Sequence, residues 1–269
     1  DALDMAIAMA GPDTRVIPGH GLEVVGRAAI IEFCDMIVDV LTTDMAGAPT
    51  DTRFTLSYNE YAVPIADVEG SGAQYLWMVP FDPAGLIDAL GGKAAAAQRL
   101  DAFFRNVDGS WAVTKSGPLH AELDNEPSIG SPWLYDFVGQ PWKTQETVRA
   151  AMRQIWTDRP DGISGNDDLG QMSSWYVWSA LGLYPLYPGR AELVVGSPLF
   201  PAAVIDRPGA KITIRGAGAE ADAPYVQALR LNGKPLHRAW IDADLVAKGG
   251  TLDFTLGKTP NRAWAVKTE

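Results

Sequence analysis

The chain has 269 residues, of which 47% are apolar, enough for the core of one large or two ordinary domains. Its net charge of −11, from 22 Lys and Arg against 33 Asp and Glu, argues against nucleic acid and anionic membranes as partners. The single cysteine, Cys34, excludes an internal disulfide and a cysteine-based zinc site. No apolar run reaches the roughly 18 residues of a membrane span, and no export signal opens the chain. We therefore expect a soluble protein that acts on a neutral substrate or binds a cation.

The first half of the chain predicts mostly helices. Residues 1–49 suggest a short helix, a strand, a tight loop around His20 and a helix from Arg27 to Leu41. Residues 50–188 form a second segment after a junction rich in Thr, Ala, Gly and Pro. Apolar residues at helical spacing predict its regular helices at Ala94–Phe104, Lys143–Trp156 and Ser173–Leu183.

Residues 189–269 change to short β-type runs between glycine and proline turns, which indicates an antiparallel β-sandwich. The expected strands are Glu192–Val195, Ala203–Ile205, Lys211–Ile214, Tyr225–Leu231, Thr251–Leu256 and Ala263–Val266. Asn232 and Gly233 predict a two-residue hairpin turn, because both residue types accept the positive φ angles that such a turn requires.

An acidic, glycine-flanked loop meets the start of an apolar helix at Gly165–Trp178. The N-terminus of a helix favours ionised carboxylates, so Asp167 and Asp168 suit a general base or a cation ligand. The alternative is a plain helix cap, since Asn and Asp are common in that role. The local pattern leaves both interpretations open.

Six motifs follow one another along the chain: Glu69–Asp82, Asp124–Ser128, Gly139–Gln145, Gly165–Tyr176, Gly196–Pro201 and the Asn232-Gly233 hairpin. In this order they resemble glycoside hydrolase family 92, the calcium-dependent exo-acting α-mannosidases. The resemblance runs from about Glu69 to the C-terminus, whereas Arg53–Ala62 resembles the family only weakly. The resemblance implies inverting hydrolysis of terminal α-mannosides and an α+β fold, with a partial (α/α)6-toroid-like helical domain followed by an antiparallel β-sandwich.

The resemblance assigns the two catalytic carboxyl groups to Glu69 and Asp168. In an inverting glycosidase, one carboxylic acid protonates the departing oxygen while a carboxylate about 6.5–9.5 Å away activates water on the other face of the sugar. Glu69 matches the acid and Asp168 the base. Asn166 stands where the family often has Asp, which keeps a hydrogen-bonding group but removes a charge, so we expect weaker catalysis. Without the resemblance, Glu69 beside a glycine reads as an ordinary turn residue.

The resemblance also implies a Ca²⁺ site at Gln74, Asn125 and Glu126, whose amide and carboxylate oxygens suit that ion. The alternative for Asn125 and Glu126 is a turn that starts the next element, with Pro127 favouring that place. The resemblance further implies substrate contacts at Trp77, Asp82 and Trp142. Trp175 either walls the same pocket or belongs to the core, because it recurs at helical spacing.

The family's members are typically much longer, so the resemblance also predicts a truncated chain whose exposed apolar surface favours self-association and whose activity is poor. The rival interpretation is a non-catalytic remnant that binds calcium or mannosides weakly. Residues 11–41 resemble the C-terminal end of a metallo-β-lactamase-fold protein, with His20 in the place of a metal ligand. The chain has only three histidines, so we expect no such metal site and no lactamase-like activity. The family resemblance suggests a secreted or periplasmic bacterial protein.

Overall fold

The computed structural model describes residues 70–187, 189–219 and 223–266, together with short strands in the first 55 residues. The chain forms two compact units, Asp1–Leu76 and Trp77–Glu269, and each is described by itself. Glu69 and His20 lie outside the described residues.

Among its described residues, the first unit contains short strands and one short helix. A sheet has the order β1-β2-β4-β5, and β3 pairs with β6. The strands are β1 (Thr14–Ile17), β2 (Gly21–Val25), β3 (Ile37–Val38), β4 (Thr42–Thr43), β5 (Pro49–Thr50) and β6 (Phe54–Thr55), and helix α1 is Gly72–Tyr75. Strand β1 confirms the predicted strand before the His20 loop, whereas β3 shows that the predicted helix to Leu41 is wrong at residues 37–38.

The first part of the second unit is helical. Its α-helices are α2 (Pro83–Ala89), α3 (Lys93–Phe104), α4 (Glu126–Ile129), α5 (Leu134–Phe137), α6 (Pro141–Ile155) and α7 (Gln171–Leu181), with 3-10 turns at Ser131–Trp133 and Asp168–Gly170. Helix α3 forms because Ala96, Leu100, Phe103 and Phe104 recur at helical spacing and bury one face. Helices α3, α6 and α7 confirm the three predicted helices to within two residues at each end.

The second part of this unit is built mainly from strands. They are β7 (Leu183–Tyr184), β8 (Glu192–Val195), β9 (Ala202–Arg207), β10 (Ala210–Ala217), β11 (Tyr225–Leu231), β12 (Lys234–Leu236), β13 (Trp240–Asp242) and β14 (Gly250–Gly257), with helix α8 at Asp244–Lys248. Among the described residues, one sheet has the order β12-β11-β14-β10-β9 and another the order β13-β8-β7. Apolar side chains from both sheets share one buried cluster, which includes Val195, Ile214, Ile241 and Phe254.

Three details test the predictions for this part. The hairpin is confirmed, because Asn232 and Gly233 join β11 to β12 with φ angles of 51° and 78°. A purely antiparallel arrangement is wrong, since β10 and β14 pair in parallel. The predicted strand at Ala263–Val266 is also wrong: Asn261 accepts hydrogen bonds from the N–H groups of Ala263 and Trp264, which turns the backbone instead.

The structure is thus of mixed α and β type, as predicted. In the described portion of the chain, no helix combines the length and apolar character needed to cross a membrane.

Candidate active site

The acidic loop before helix α7 makes an unusual backbone turn. Asp168 and Leu169 have φ angles of 44° and 56°, and Gly170 follows with a φ of 93°. The left-handed region costs a non-glycine residue roughly 1–2 kcal/mol, so two such residues in succession store strain in the turn. Strained backbone of this kind clusters at functional sites. The side chain of Leu169 is fully exposed and offers no burial to offset its strain.

The carboxylates of Asp167 and Asp168 have different surroundings. This difference distinguishes the two roles that the sequence left open, which are a helix cap and a general base or cation ligand. The Asp167 carboxylate accepts a hydrogen bond of 2.8 Å from the backbone N–H of Ser173, and it therefore caps helix α7. The Asp168 carboxylate has no hydrogen-bond or ion-pair partner within the described ranges, and the residue is half-buried. Capping thus explains Asp167, and Asp168 is the carboxylate left available for chemistry.

Helix α7 is held in place by Trp175. This side chain is fully buried and stacks on Trp156, with ring centroids 4.9 Å apart and planes 6° apart. Its indole N–H donates a 2.8 Å hydrogen bond to the carbonyl of Ile129, at the end of helix α4. Trp175 is therefore a core residue and not a pocket wall. It fixes the helix that follows the acidic turn against the helix that follows Asn125.

The loop at Asp124–Glu126 lies beside the acidic turn. A β-carbon built on Gly165 would lie 3.4 Å from the carbonyl oxygen of Asp124, so the two backbone segments are in close approach. Asp124 is buried, and its carboxylate accepts a 2.8 Å hydrogen bond from the Thr114 hydroxyl. Asn125 and Glu126 follow at the start of helix α4 and are half-buried. The structure thus brings two of the sequence motifs together.

The donor set at this place suits a hard cation. Asn125 and Glu126 offer an amide and a carboxylate oxygen in consecutive positions, and Ca²⁺ takes both kinds of ligand. The part of the chain that the structure describes contains no group of three His, Cys, Asp or Glu side chains placed to hold a metal ion. Two oxygen donors fit calcium in kind but are fewer than the six to eight ligands that it takes.

Gln74 and Glu69 belong to the first unit. Gln74 is buried in helix α1, where its side-chain oxygen accepts a 2.8 Å hydrogen bond from the backbone N–H of Ser71. Glu69, the predicted acid, is not among the described residues.

The predicted substrate-binding residues occupy three different settings in the second unit. Trp77 is 3% exposed and packs against Phe103, so little of its surface is open to a ligand within this unit. Asp82 is exposed and caps helix α2 through a 2.9 Å hydrogen bond from the N–H of Gly85. Trp142 is half-buried, with the guanidinium of Arg262 5.5 Å from its ring centroid.

The left-handed pair Asp168-Leu169 was not predicted from the sequence. Asp accepts this conformation more readily than most residues, but a leucine in it has no sequence signal. Gly170 was the one available hint, since glycine often marks a left-handed position.

The sequence matches the glycosyl hydrolase family 92 catalytic domain over residues 41–258. The match starts earlier than the motifs from Glu69 onward, and it includes Arg53–Ala62, where the resemblance was weak. A curated relative described as an uncharacterized secreted glycosidase, from Arthroderma benhamiae, is 33% identical over 186 residues. Those residues are 68% of this chain and 22% of that protein.

Solved structures give the same result. A family GH92 alpha-mannosidase from Bacteroides thetaiotaomicron superposes with a TM-score of 0.68 at 28% identity, covering 85% of this chain and 29% of the other. A family GH92 inverting mannosidase from the same organism also has a TM-score of 0.68, at 31% identity, covering 85% and 32%. The GH92 glycosyl hydrolase ccman5 shares the fold, with a TM-score of 0.71 at 22% identity, covering 100% and 36%. The chain therefore spans about a fifth to a third of the length of these relatives.

Proposed function

Because this chain belongs to glycosyl hydrolase family 92, we propose that it takes part in the calcium-assisted hydrolysis of terminal α-mannosides with inversion at the anomeric carbon. Two solved relatives are mannosidases by name, and one of these is called inverting. A further structure of the alpha-mannosidase holds mannoimidazole. The observation that carries the proposal is the uncommitted Asp168 carboxylate on its left-handed turn.

Asp168 is the proposed general base. It takes a proton from water while the water oxygen forms a bond to the anomeric carbon of the sugar. Glu69 is the proposed general acid, and it gives its proton to the departing glycosidic oxygen as that bond breaks. The strained turn supports this role for Asp168, because a base must hold one position while a water molecule is oriented against it.

Asn166 is the proposed assistant of the base. It is exposed on the same loop as Asp168, two residues away. Its amide supplies a hydrogen bond to water or to a sugar hydroxyl but no negative charge. We therefore expect Asn166→Asp to raise the hydrolysis rate. An unchanged rate would remove Asn166 from the mechanism, and a lower rate would contradict the expected gain from a charge at this position.

Calcium is the proposed cofactor, with Asn125 and Glu126 as its ligands in the second unit, and a role for Gln74 stays a prediction. Their oxygens are chemically suited to the ion, and when bound it would supply a positive charge that orients sugar hydroxyls. The substrate contacts proposed at Asp82, Trp142 and Trp77 differ in availability, because the first is exposed, the second half-buried and the third nearly buried. Asp82 and Trp142 are the stronger candidates on that ground.

The test uses two neighbouring carboxylates in one assay. Hydrolysis of an aryl α-mannoside by the 269-residue chain is followed in millimolar calcium, with and without a chelator. Asp168→Asn should lower kcat by about 100- to 10,000-fold, the usual contribution of a general base. Asp167→Asn is the matched control, because an amide oxygen can still accept the N–H of Ser173 and cap the helix. Equal rates in the two variants would overturn the assignment of Asp168.

A binding role without catalysis is the second candidate, and Asn166 favours it because the amide removes a charge from the site. It predicts no turnover by the unaltered chain, together with calcium-dependent binding of a mannoside that Glu126→Gln weakens. Calorimetric titration of a mannoside in calcium and in chelator separates the two candidates. Turnover that Asp168→Asn abolishes would exclude the binding role.

Secretion is proposed on the ground that the curated relative is described as a secreted glycosidase. Self-association stays a prediction. Sedimentation velocity of the purified chain at several concentrations would check it.

A further inference from the structure

The larger sheet of the second unit has two edge strands, β12 and β9, which differ in how open they are. Strand β12 has three residues, and two of them are Lys234 and Pro235. Both residue types hinder the addition of a further strand, proline because it lacks an N–H group, so this edge is protected. Strand β9 has six residues and begins with the apolar run Ala202–Ile205. Among the described residues, no strand pairs with its outer side.

The register of β9 against β10 shows which backbone groups of β9 point outwards. Arg207 pairs with Ala210 across a two-residue turn. In such a hairpin the pair next to the turn exchanges hydrogen bonds, and alternate residues then direct their N–H and C=O groups away from the partner strand. The Pro201 carbonyl accepts a 2.8 Å hydrogen bond from the N–H of Gly216 in β10, which agrees with this alternation. The outward groups therefore belong to the three even-numbered residues of β9, Ala202, Val204 and Asp206.

The side chains of β9 alternate between the core and the solvent. Ala203 and Ile205 pack against the buried cluster that the two sheets share, whereas Val204 is 54% exposed. Phe200, just before the strand, is 50% exposed. This edge thus combines unpaired backbone groups with exposed apolar side chains, the combination on which another strand adds most easily.

A second copy of β9 matches this edge when the two strands run antiparallel with Val204 opposite the partner's Val204. All three outward residues then face outward residues of the other copy, and each opposed pair exchanges two hydrogen bonds. Any other register leaves at least one of the three without a counterpart among them. On the core side, Ala203 lies opposite the partner's Ile205, so apolar side chains meet on both faces of the joined sheet.

The charges of β9 permit this register. Asp206 is the carboxylate of the strand, and Lys211 on the neighbouring strand lies 3.5 Å from it. The partner's Asp206 lies opposite Ala202, four residues along the strand from Asp206, which is about 14 Å at about 3.4 Å per residue. That separation exceeds the Debye length of about 8 Å at physiological ionic strength, so salt screens the repulsion between the two carboxylates. The net charge of −11 on each copy opposes association mainly at low salt.

We propose that β9 is a dimerisation edge, through which two copies of this chain pair antiparallel about a two-fold axis at Val204 and join their larger sheets. A second copy fits better than an unrelated strand, because one pairing covers both open edges and leaves only the protected β12 edges outside. The interface is small, so we expect a reversible dimer with a Kd of about 10–100 µM. Such a dimer gives the predicted self-association a defined surface, and it forms whether or not the chain hydrolyses mannosides.

Sedimentation velocity of the 269-residue chain from about 5 to 500 µM brackets the expected Kd. We expect a shift from monomer to dimer over this range, at lower concentration when the salt is raised. Val204→Lys places two ammonium groups opposite each other at the two-fold axis and should raise the Kd about tenfold or more. Val177→Lys is the matched control, because Val177 is 56% exposed but lies on helix α7, and this variant should dimerise as before.

Amide hydrogen exchange at the lowest and highest of these concentrations tests the strand pairing itself. The Val204 N–H points outwards, so it should exchange rapidly in the monomer and slowly in the dimer. The Ile205 N–H faces β10 in both states, so its exchange should change little. This contrast between neighbouring residues separates strand addition from association through side chains alone.

Three results would overturn the inference. A chain that stays monomeric at about 500 µM in high salt would exclude a second copy as the occupant of this edge. Equal Kd values for the two lysine variants would place the contact elsewhere on the surface. Exchange of the Val204 N–H at the same rate at both concentrations would exclude pairing through β9. Mannoside hydrolysis by the same variants is a separate readout, and its absence would count against the proposed function alone.

Discussion

Replacing Asp136 by Asn should make the stability difference between the two proteins depend on pH. Asp136 lies in helix α5, 3% exposed, with Thr144 donating to one of its oxygens. Burial raises the pKa of this carboxyl well above its usual range. Asn has nearly the same shape, can still accept from Thr144 and carries no titrating proton, so the substitution isolates the titration of this one group.

The sign follows from the proton that the folded protein retains. Below about pH 3.9 the carboxyl is protonated in both the folded and unfolded chains, and its contribution to stability is fully present. Above that pH the unfolded chain releases the proton while the folded chain holds it. The wild-type protein then loses about 1.4 kcal/mol of unfolding free energy per pH unit relative to Asp136→Asn, until the pH reaches the raised pKa.

The assay is urea unfolding of both proteins at pH 4.5, 5.5 and 6.5 and constant ionic strength. The other titrating groups are common to the two chains and cancel in the difference. We expect Asp136→Asn to gain stability over the wild type as the pH rises, by about 1.4 kcal/mol per pH unit for as long as the pH stays below the raised pKa, whatever the offset at the lowest pH. A difference that stays flat, or that moves towards the wild type as the pH rises, would refute the buried neutral carboxyl.

Two further predictions concern left-handed backbone positions. Gly182→Ala should lower the unfolding free energy by about 3 kcal/mol or more, because φ is +76° there and the new methyl would lie 2.6 Å from the nitrogen of Pro198. Gly209→Ala is the control, because φ is +80° there and no atom lies within 4 Å of the new methyl. It should lower the unfolding free energy by only about 1–2 kcal/mol. Equal losses in the two variants, measured by urea unfolding, would contradict the steric argument. Leu169→Asn should raise the unfolding free energy by about 0.5–1 kcal/mol, because Leu169 is fully exposed and Asn tolerates its conformation. Val107→Asn replaces an equally exposed residue without positive φ and should give no gain, so a gain there, or none at Leu169, would argue against strain in the turn.

The elements that the sequence predicted are those with a local cause. Helices α3, α6 and α7 carry apolar residues at helical spacing over 11 to 15 residues. The Asn232-Gly233 turn follows from the conformations that these two residues allow. Helices α4 and α5 have four residues each and are too short for periodicity to reveal.

The features that the sequence did not predict depend on distant contacts. Strands β10 and β14 pair in parallel although more than 30 residues separate them. Nothing local in either strand specifies that direction. At the candidate site, the sequence placed Asp167 and Asp168 together at a helix start, but it could not tell the cap from the free carboxylate. That distinction depends on which carboxylate reaches the N–H of Ser173.

The division of work between these two carboxylates has a physical origin in the backbone. Asp167 has a right-handed φ of −83°, and one of its carboxylate oxygens accepts the hydrogen bond that caps helix α7. The left-handed residues Asp168 and Leu169 change the direction of the chain. Within the described residues, the side chain of Asp168 therefore takes no part in capping helix α7. Such a turn persists only where its surroundings hold it, and here the buried Trp175 fixes the first turns of helix α7 through the Ile129 carbonyl. Substitutions that loosen the packing of Trp175 in the core should therefore displace Asp168 through helix α7. They would do so although Trp175 itself makes no contact with a substrate.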